Sequence, residues 1–338
     1  MNLLFIADKD HYRNWIGKTY SDLLVYFKNN SKHRVTLIYS DQHIDLSLMN
    51  KPDVIVFFDT DTLRCAERFN NLFNYNIPCF ASSLDLFYFN NCCNCQFIKK
   101  CKGILHFGNA SKLLNSYKTV FPDKIIKSFE GRFVNTERYK DYKQEKIYDI
   151  LIYGSRGTYE NRNNVETHYA DQEYKKKWET HNNSELPNRW TFYPLRVRLE
   201  ALLKKHTNKY KLYILPNACV FNAPVANEDL SKLINSSWLT MATASRADIP
   251  MAKYFEIGAS YSGILGNIPS DYENLYKNNI VEVTEWMTDE EIIDTIDKAL
   301  ADKQKLQEMI NIIGDETHKE YSLKAGTKNM DDVFDTLL

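Results

Sequence analysis

In the first part of the chain, short apolar runs alternate with stretches whose apolar residues recur at helical spacing. Residues 3–7 form an unbroken apolar run and predict a buried strand. Residues 12–27 set Trp15, Tyr20, Leu23, Leu24 and Phe27 at the spacing of one helical face. Further strands are predicted at 35–39, 53–58, 78–82 and 103–107, with a helix following at about 110–120. The run at 53–58 is continuous and β-branched, as central strands of parallel sheets are. Alternation of this kind predicts an α/β class with parallel strands.

Residues 130–146 are polar with little periodicity and read as a linker. The pattern then restarts. Strands are predicted at 148–153, 211–215, 238–242 and 264–266, and helices at 193–203, 229–234, 250–259 and 290–300. Pro194 falls in the first turn of its helix, a favoured place. Leu306, Met309, Ile310 and Ile313 continue the 290–300 pattern, and 331–338 predicts a last short helix. Residues 157–189, dense in Asn, Glu, Lys and His, lack any such pattern and read as a surface insertion. The expected organisation is an α/β domain at 1–140, a second at 147–320, and a tail at 321–338 that packs back on the first. Two such units imply a cleft, and clefts between domains are preferred ligand sites.

Composition narrows the classes. The chain has 338 residues, 43% hydrophobic and 26% charged, which is globular rather than disordered. A net charge of −1 gives no global pull toward nucleic acid or anionic membrane, so any phosphate site must use local cations. No apolar run is long enough to span a bilayer, and no leader is evident, so a cytoplasmic protein is expected. Of the seven cysteines, Cys92, Cys93, Cys95 and Cys101 cluster, but only Cys92-x-x-Cys95 has zinc-like spacing; reduced thiols are the expected state.

The most informative stretch is Ser245-Arg246-Ala247-Asp248-Ile249-Pro250-Met251-Ala252-Lys253-Tyr254-Phe255-Glu256. It lies where a predicted strand gives way to a helix, the ligand-binding edge of an open parallel sheet. A helix N-terminus there offers N–H groups and partial positive charge to an anion. Arg246 and Lys253 suit phosphate oxygens, and the Glu256 carboxylate suits two ribose hydroxyls.

This stretch resembles the donor-binding signature of GT-B glycosyltransferases, particularly the retaining family 4 type, with an acid-x7-acid spacing kept as Asp248-x7-Glu256. The first acid is Asp where the family has Glu. A second match lies upstream, where Tyr153-Gly154-Ser155-Arg156 ends a strand and Arg196 opens the next helix after the insertion. The resemblance implies two Rossmann-like domains facing across a cleft. It also implies transfer of a hexosyl or pentosyl group from a nucleoside diphosphate sugar to a glycan or other acceptor, with retention and without metal or further cofactor. It assigns the donor sugar to Asp248, the ribose to Glu256 and the diphosphate to Arg156 and Arg196. Gly154, Ser155, Ser245, Arg246 and Lys253 complete the donor side. Arg198 lies about 200° round the helix from Arg196 and is the weaker choice. Ser83, Asp85 and His106 are acceptor-side candidates. The chain departs from the family at Tyr261, where a glycine is usual, and its N-terminal glycine loop is reduced to Gly17.

The sequence also admits three rival readings. Asp59-Thr60-Asp61 follows a buried strand, as the metal-binding Asp-x-Asp of GT-A transferases does. A GT-B-like protein that binds without catalysing is the second, and a nucleotide-sugar epimerase the third.

Overall fold

The computed structural model describes residues 1–7, 19–42, 44–46, 49–58, 66–83, 93–154, 158–159, 169–182, 190–191, 193–216, 225, 227–245 and 248–337. The chain divides into two compact units. One is built on Met1–Phe133 and Leu323–Leu338, the other on Val134–Asn163 and Ala170–Ser322.

The first unit holds β1 (Asn2–Ala7), α1 (Thr19–Asn30), β2 (Arg34–Tyr39), β3 (Val54–Phe58), β4 (Cys79–Ser83), α2 (Cys93–Lys100), β5 (Gly103–Phe107), α3 (Ser111–Val120) and β6 (Ile125–Phe129). Its six strands pair in parallel in the order β2-β1-β3-β4-β5-β6. β3 is buried along its whole length, which is why it reads as a continuous apolar run. Cys101, between α2 and β5, is a buried free cysteine whose thiol pKa is pushed up, chiefly by burial.

The second unit restarts with β7 (Tyr148–Ile152), then the two-stranded hairpin partners β8 (Thr158–Tyr159) and β9 (Trp190–Thr191), with α4 (Tyr169–Asn182) between them in sequence. It continues through α5 (Pro194–Lys204), β10 (Leu212–Ile214), α6 (Asn227–Asn235), β11 (Ser237–Met241), α7 (Ala252–Ala259), β12 (Gly263–Gly266) and β13 (Val281–Glu282), and on to α8 (Asp289–Ala301) and α9 (Lys303–Glu320). Five parallel strands run β10-β7-β11-β12-β13 over a core that includes Ile150, Leu199, Leu239, Leu265, Ile296 and Ile310.

The last helix, α10 (Leu323–Asp335), belongs to the first unit. Phe334 packs on Phe5 and Phe27, with ring centroids 5.8 and 5.9 Å away. Asp331 accepts a 2.5 Å hydrogen bond from Ser31, and Asp335 forms an ion pair with Lys32.

Three expectations need correction. The helix predicted at 331–338 starts at Leu323. The pattern running from 290 to 313 is two helices, because Asp302 stops α8 and caps α9 by accepting from Lys305 N at 3.0 Å. The insertion at 157–189 contains the helix α4, whose Tyr174 is buried.

Candidate functional site

The order β10-β7-β11-β12-β13 reverses between β7 and β11: the chain goes from β7 outward to β10, then returns to build β11 onward on the other side. At such a switch point the strand ends diverge and leave a crevice where ligands bind in open α/β sheets.

β7 runs directly into Tyr153 and Gly154. Gly154 has φ +84°, and a Cβ there would collide with Cε and Nζ of Lys253. Lys253, in the first turn of α7, donates to the Tyr153 carbonyl, and its ammonium lies 4.3 Å from the centre of the Tyr153 ring. Glu256 accepts a 3.0 Å hydrogen bond from the Tyr153 hydroxyl. Lys253 and Glu256 are three apart and share a helix face, and that face is turned to the end of β7. Burial, and then the Glu256 carboxylate, push the Tyr153 phenol well above its ordinary pKa of 10, so it stays a donor.

Arg196 reaches the neighbouring strand end. Its Nη2 donates to the Thr243 carbonyl at 3.3 Å, just past β11, and its guanidinium carbon lies 3.9 Å from the centre of the Tyr193 ring. Arg196, Glu256 and Lys253 are 2, 5 and 9% exposed. Burying ions costs several kcal/mol each before compensation, so three at one sheet edge is an arrangement that core packing alone does not favour.

The loop after β11 closes on itself. Asp248 N donates to Ser245 O at 2.8 Å, Ser245 N to Ile249 O at 3.1 Å, and Ile249 N to Ser245 Oγ at 3.3 Å. Asp248 has φ +60°, a region aspartate tolerates better than most residues. Its carboxylate accepts from Ser270 N at 3.2 Å and Ser270 Oγ at 2.5 Å. The N-cap of α7, Met251, makes no side-chain capping bond.

Of the predicted residues, Gly154, Arg196, Lys253 and Glu256 thus gather around Tyr153, with Ser245 and Asp248 in the adjoining loop. Ser155, Arg156, Arg246, Asp85, Asp59 and Asp61 lie outside the described residues. Ser83 ends β4 opposite His106 in the first unit. His106 is fully buried, its ring edge-on to Tyr117 with centroids 5.9 Å apart. Arg198 is held by Asp289 at 2.7 Å and the Glu285 carbonyl at 3.0 Å, away from Arg196. Tyr261 stands just past the C-terminal end of α7, φ +51°, with its hydroxyl 2.6 Å from Asp315. Its departure from the family pattern therefore bears on how α7 ends, not on the edge where α7 begins. Sequence reasoning missed Tyr153, Tyr193, Thr243 and Ser270; a tyrosine between an apolar strand and a glycine was the available signal for the first.

No protein-family model and no curated protein sequence matches the chain. Solved structures do. Sucrose-phosphate synthase from Thermosynechococcus elongatus superposes with TM-score 0.60 at 8% identity, over 100% of this chain and 99% of that one. Anabaena HepE in complex with UDP-glucose gives 0.57 at 10% identity over 100% of both. An alpha-glucosyltransferase in complex with UDP and a 13-mer DNA gives 0.57 at 11% identity over 99% and 100%. The fold is GT-B. The Tyr153 cluster belongs to the second of the two GT-B sheets, and the GT-A reading of Asp59 and Asp61 is set aside with its fold. Among the described residues of this GT-B chain, no group of three or more His, Cys, Asp or Glu could hold a metal, and no helix is long and apolar enough to cross a membrane.

Proposed function

We propose that this chain is a glycosyltransferase that moves a hexosyl or pentosyl group from a nucleoside diphosphate sugar to a glycan acceptor, with retention and without metal. The observation that carries the reading is the approach of two buried cations, Lys253 and Arg196, to carbonyl groups at the ends of β7 and β11, either side of the switch point. A departing nucleoside diphosphate gains negative charge as the glycosidic bond breaks. Cations already fixed in a low-dielectric site stabilise that charge with no reorganisation at the moment of reaction.

In this reading Arg196 and Lys253 face the diphosphate, and Gly154 and Ser245 shape the cradle; the resemblance alone adds Arg156 to the diphosphate and Ser155 and Arg246 to the donor side. Glu256 takes ribose hydroxyls, its carboxylate oriented by Tyr153. Asp248 takes the donor sugar. Retention rests on the Asp248-x7-Glu256 resemblance. An alpha-glucosyltransferase of the same fold was captured with UDP and a 13-mer DNA, which leaves the expectation of no nucleic-acid partner without support.

A thermal-shift panel of nucleoside diphosphates in EDTA tests the reading. At least one should raise the melting temperature with concentration dependence. Glu256→Gln and Arg196→Gln should each weaken that ligand by about 1.5–3 kcal/mol, the range for a charged hydrogen bond. Binding that disappears in EDTA, or that ignores both substitutions, refutes the assignment.

A further inference from the structure

Helix α4 faces a second group of side chains, gathered on Trp286. Together with the turn after β13 it encloses a pocket of about 270 Å³, lined chiefly by Trp178, His181, Pro194, Arg198, Glu285 and Trp286. Its wall is aromatic. Trp286 has ring centroids 5.7 Å from Tyr174, 6.4 Å from Trp178 and 5.3 Å from His181, with the Lys177 ammonium 4.5 Å over it.

Its polar groups are fixed in place. Asp289 accepts from Arg198 Nε at 3.1 Å and Nη2 at 2.7 Å, and the Glu285 carbonyl accepts from Nη1 at 3.0 Å. Burial raises the Glu285 carboxyl above the usual carboxylate range, with Lys177 and the Tyr174 hydroxyl acting the other way. Helix α5 stands between the pocket and the donor edge. Arg196 and Arg198 lie on opposite faces of α5, about 200° apart. The first reaches Thr243 beside the switch point, and the second borders the pocket.

We propose that this pocket holds one pyranose ring of a saccharide acceptor, an inference that rests on the glycosyltransferase reading. Tryptophan rings carry negative π faces that meet the C–H faces of a pyranose, while carboxylate and guanidinium groups at the rim pair with its hydroxyls. The volume lies just below the usual range for ligand sites, in keeping with a single ring.

The test uses the full chain. Saturation-transfer NMR and tryptophan fluorescence are recorded with millimolar maltose, cellobiose, lactose and N,N′-diacetylchitobiose, and thermal shifts with UDP and UDP-glucose. At least one disaccharide should bind saturably. Loss of a stacking partner in Trp286→Ala should weaken it about tenfold, and Trp286→Phe should restore most of the affinity. UDP and UDP-glucose shifts should be equal in wild type and variants, which also shows that the variants fold. Absence of disaccharide binding, or binding indifferent to Trp286→Ala and Trp178→Ala, overturns the proposal. So does a loss of UDP-glucose affinity with UDP unaffected, which would assign the pocket to the donor's own sugar. If wild type binds neither UDP, UDP-glucose nor any other nucleoside diphosphate, the glycosyltransferase reading itself fails, whatever the disaccharides do.

Discussion

Lys146, two residues before β7, donates to the carbonyls of Tyr261 at 2.6 Å and Ser237 at 3.0 Å. Burial lowers its pKa to about 8, with Asp141 pulling it upward, against an ordinary value of 10.5. Between those two pH values the folded chain has released a proton that the unfolded chain keeps. Stability therefore rises with pH across that window, by at most about 1.4 kcal/mol per pH unit. Below about pH 8 both states are charged and the gain is absent. In urea unfolding, the free energy of wild type relative to Lys146→Met should grow between pH 8 and 10. A difference that stays flat would mean the amine keeps its charge throughout. At the site, the sequence made the charges legible but not what orients them. Asp248, Lys253 and Glu256 stand out as polar residues at a helix border. Tyr153 passes for the last residue of an apolar strand, and only the fold shows that its carbonyl meets Lys253 and its hydroxyl meets Glu256.

At the scale of elements, the helix that carries Lys253 and Glu256 is positioned by its closeness to α9. A Cβ at Gly258 would lie 2.5 Å from Thr317 Oγ1 and 2.9 Å from Ile313 Cγ2, so the two helices approach at a glycine. Gly258→Ala should cost about 1–3 kcal/mol of overpacking in urea denaturation. It should also lower the thermal shift given by the cognate nucleoside diphosphate, because α7 must move. An unchanged shift with lowered stability would separate the helix contact from the ligand edge. Most strands were legible because burial on both faces leaves unbroken apolar runs, as in β1 and β3. β6 was not, since only Phe129 of its five residues is buried and Lys127 is exposed. α4 was hidden by its polar composition. Its readable trace was the pair Tyr174 and Trp178, four apart and therefore on one face, where they meet Trp286.

At the scale of the whole molecule, each unit has its own parallel sheet and core, yet the first is completed by the last helix. Phe334 is fully buried between Phe5, Phe27 and Phe129. Phe334→Ala should remove about 3–5 kcal/mol from the first unit. Hydrogen exchange should then quicken at β1 and β6 amides while those of β7 and β11 keep their protection. Equal quickening in both sheets would show that the units open together. The same helix sets an order of events during synthesis. When the ribosome has delivered β1 and α1, the aromatic patch they share is still bare, and it stays bare until the entire second unit has been translated. The first unit therefore cannot reach its native packing until the last helix has been made, however early its sheet is delivered.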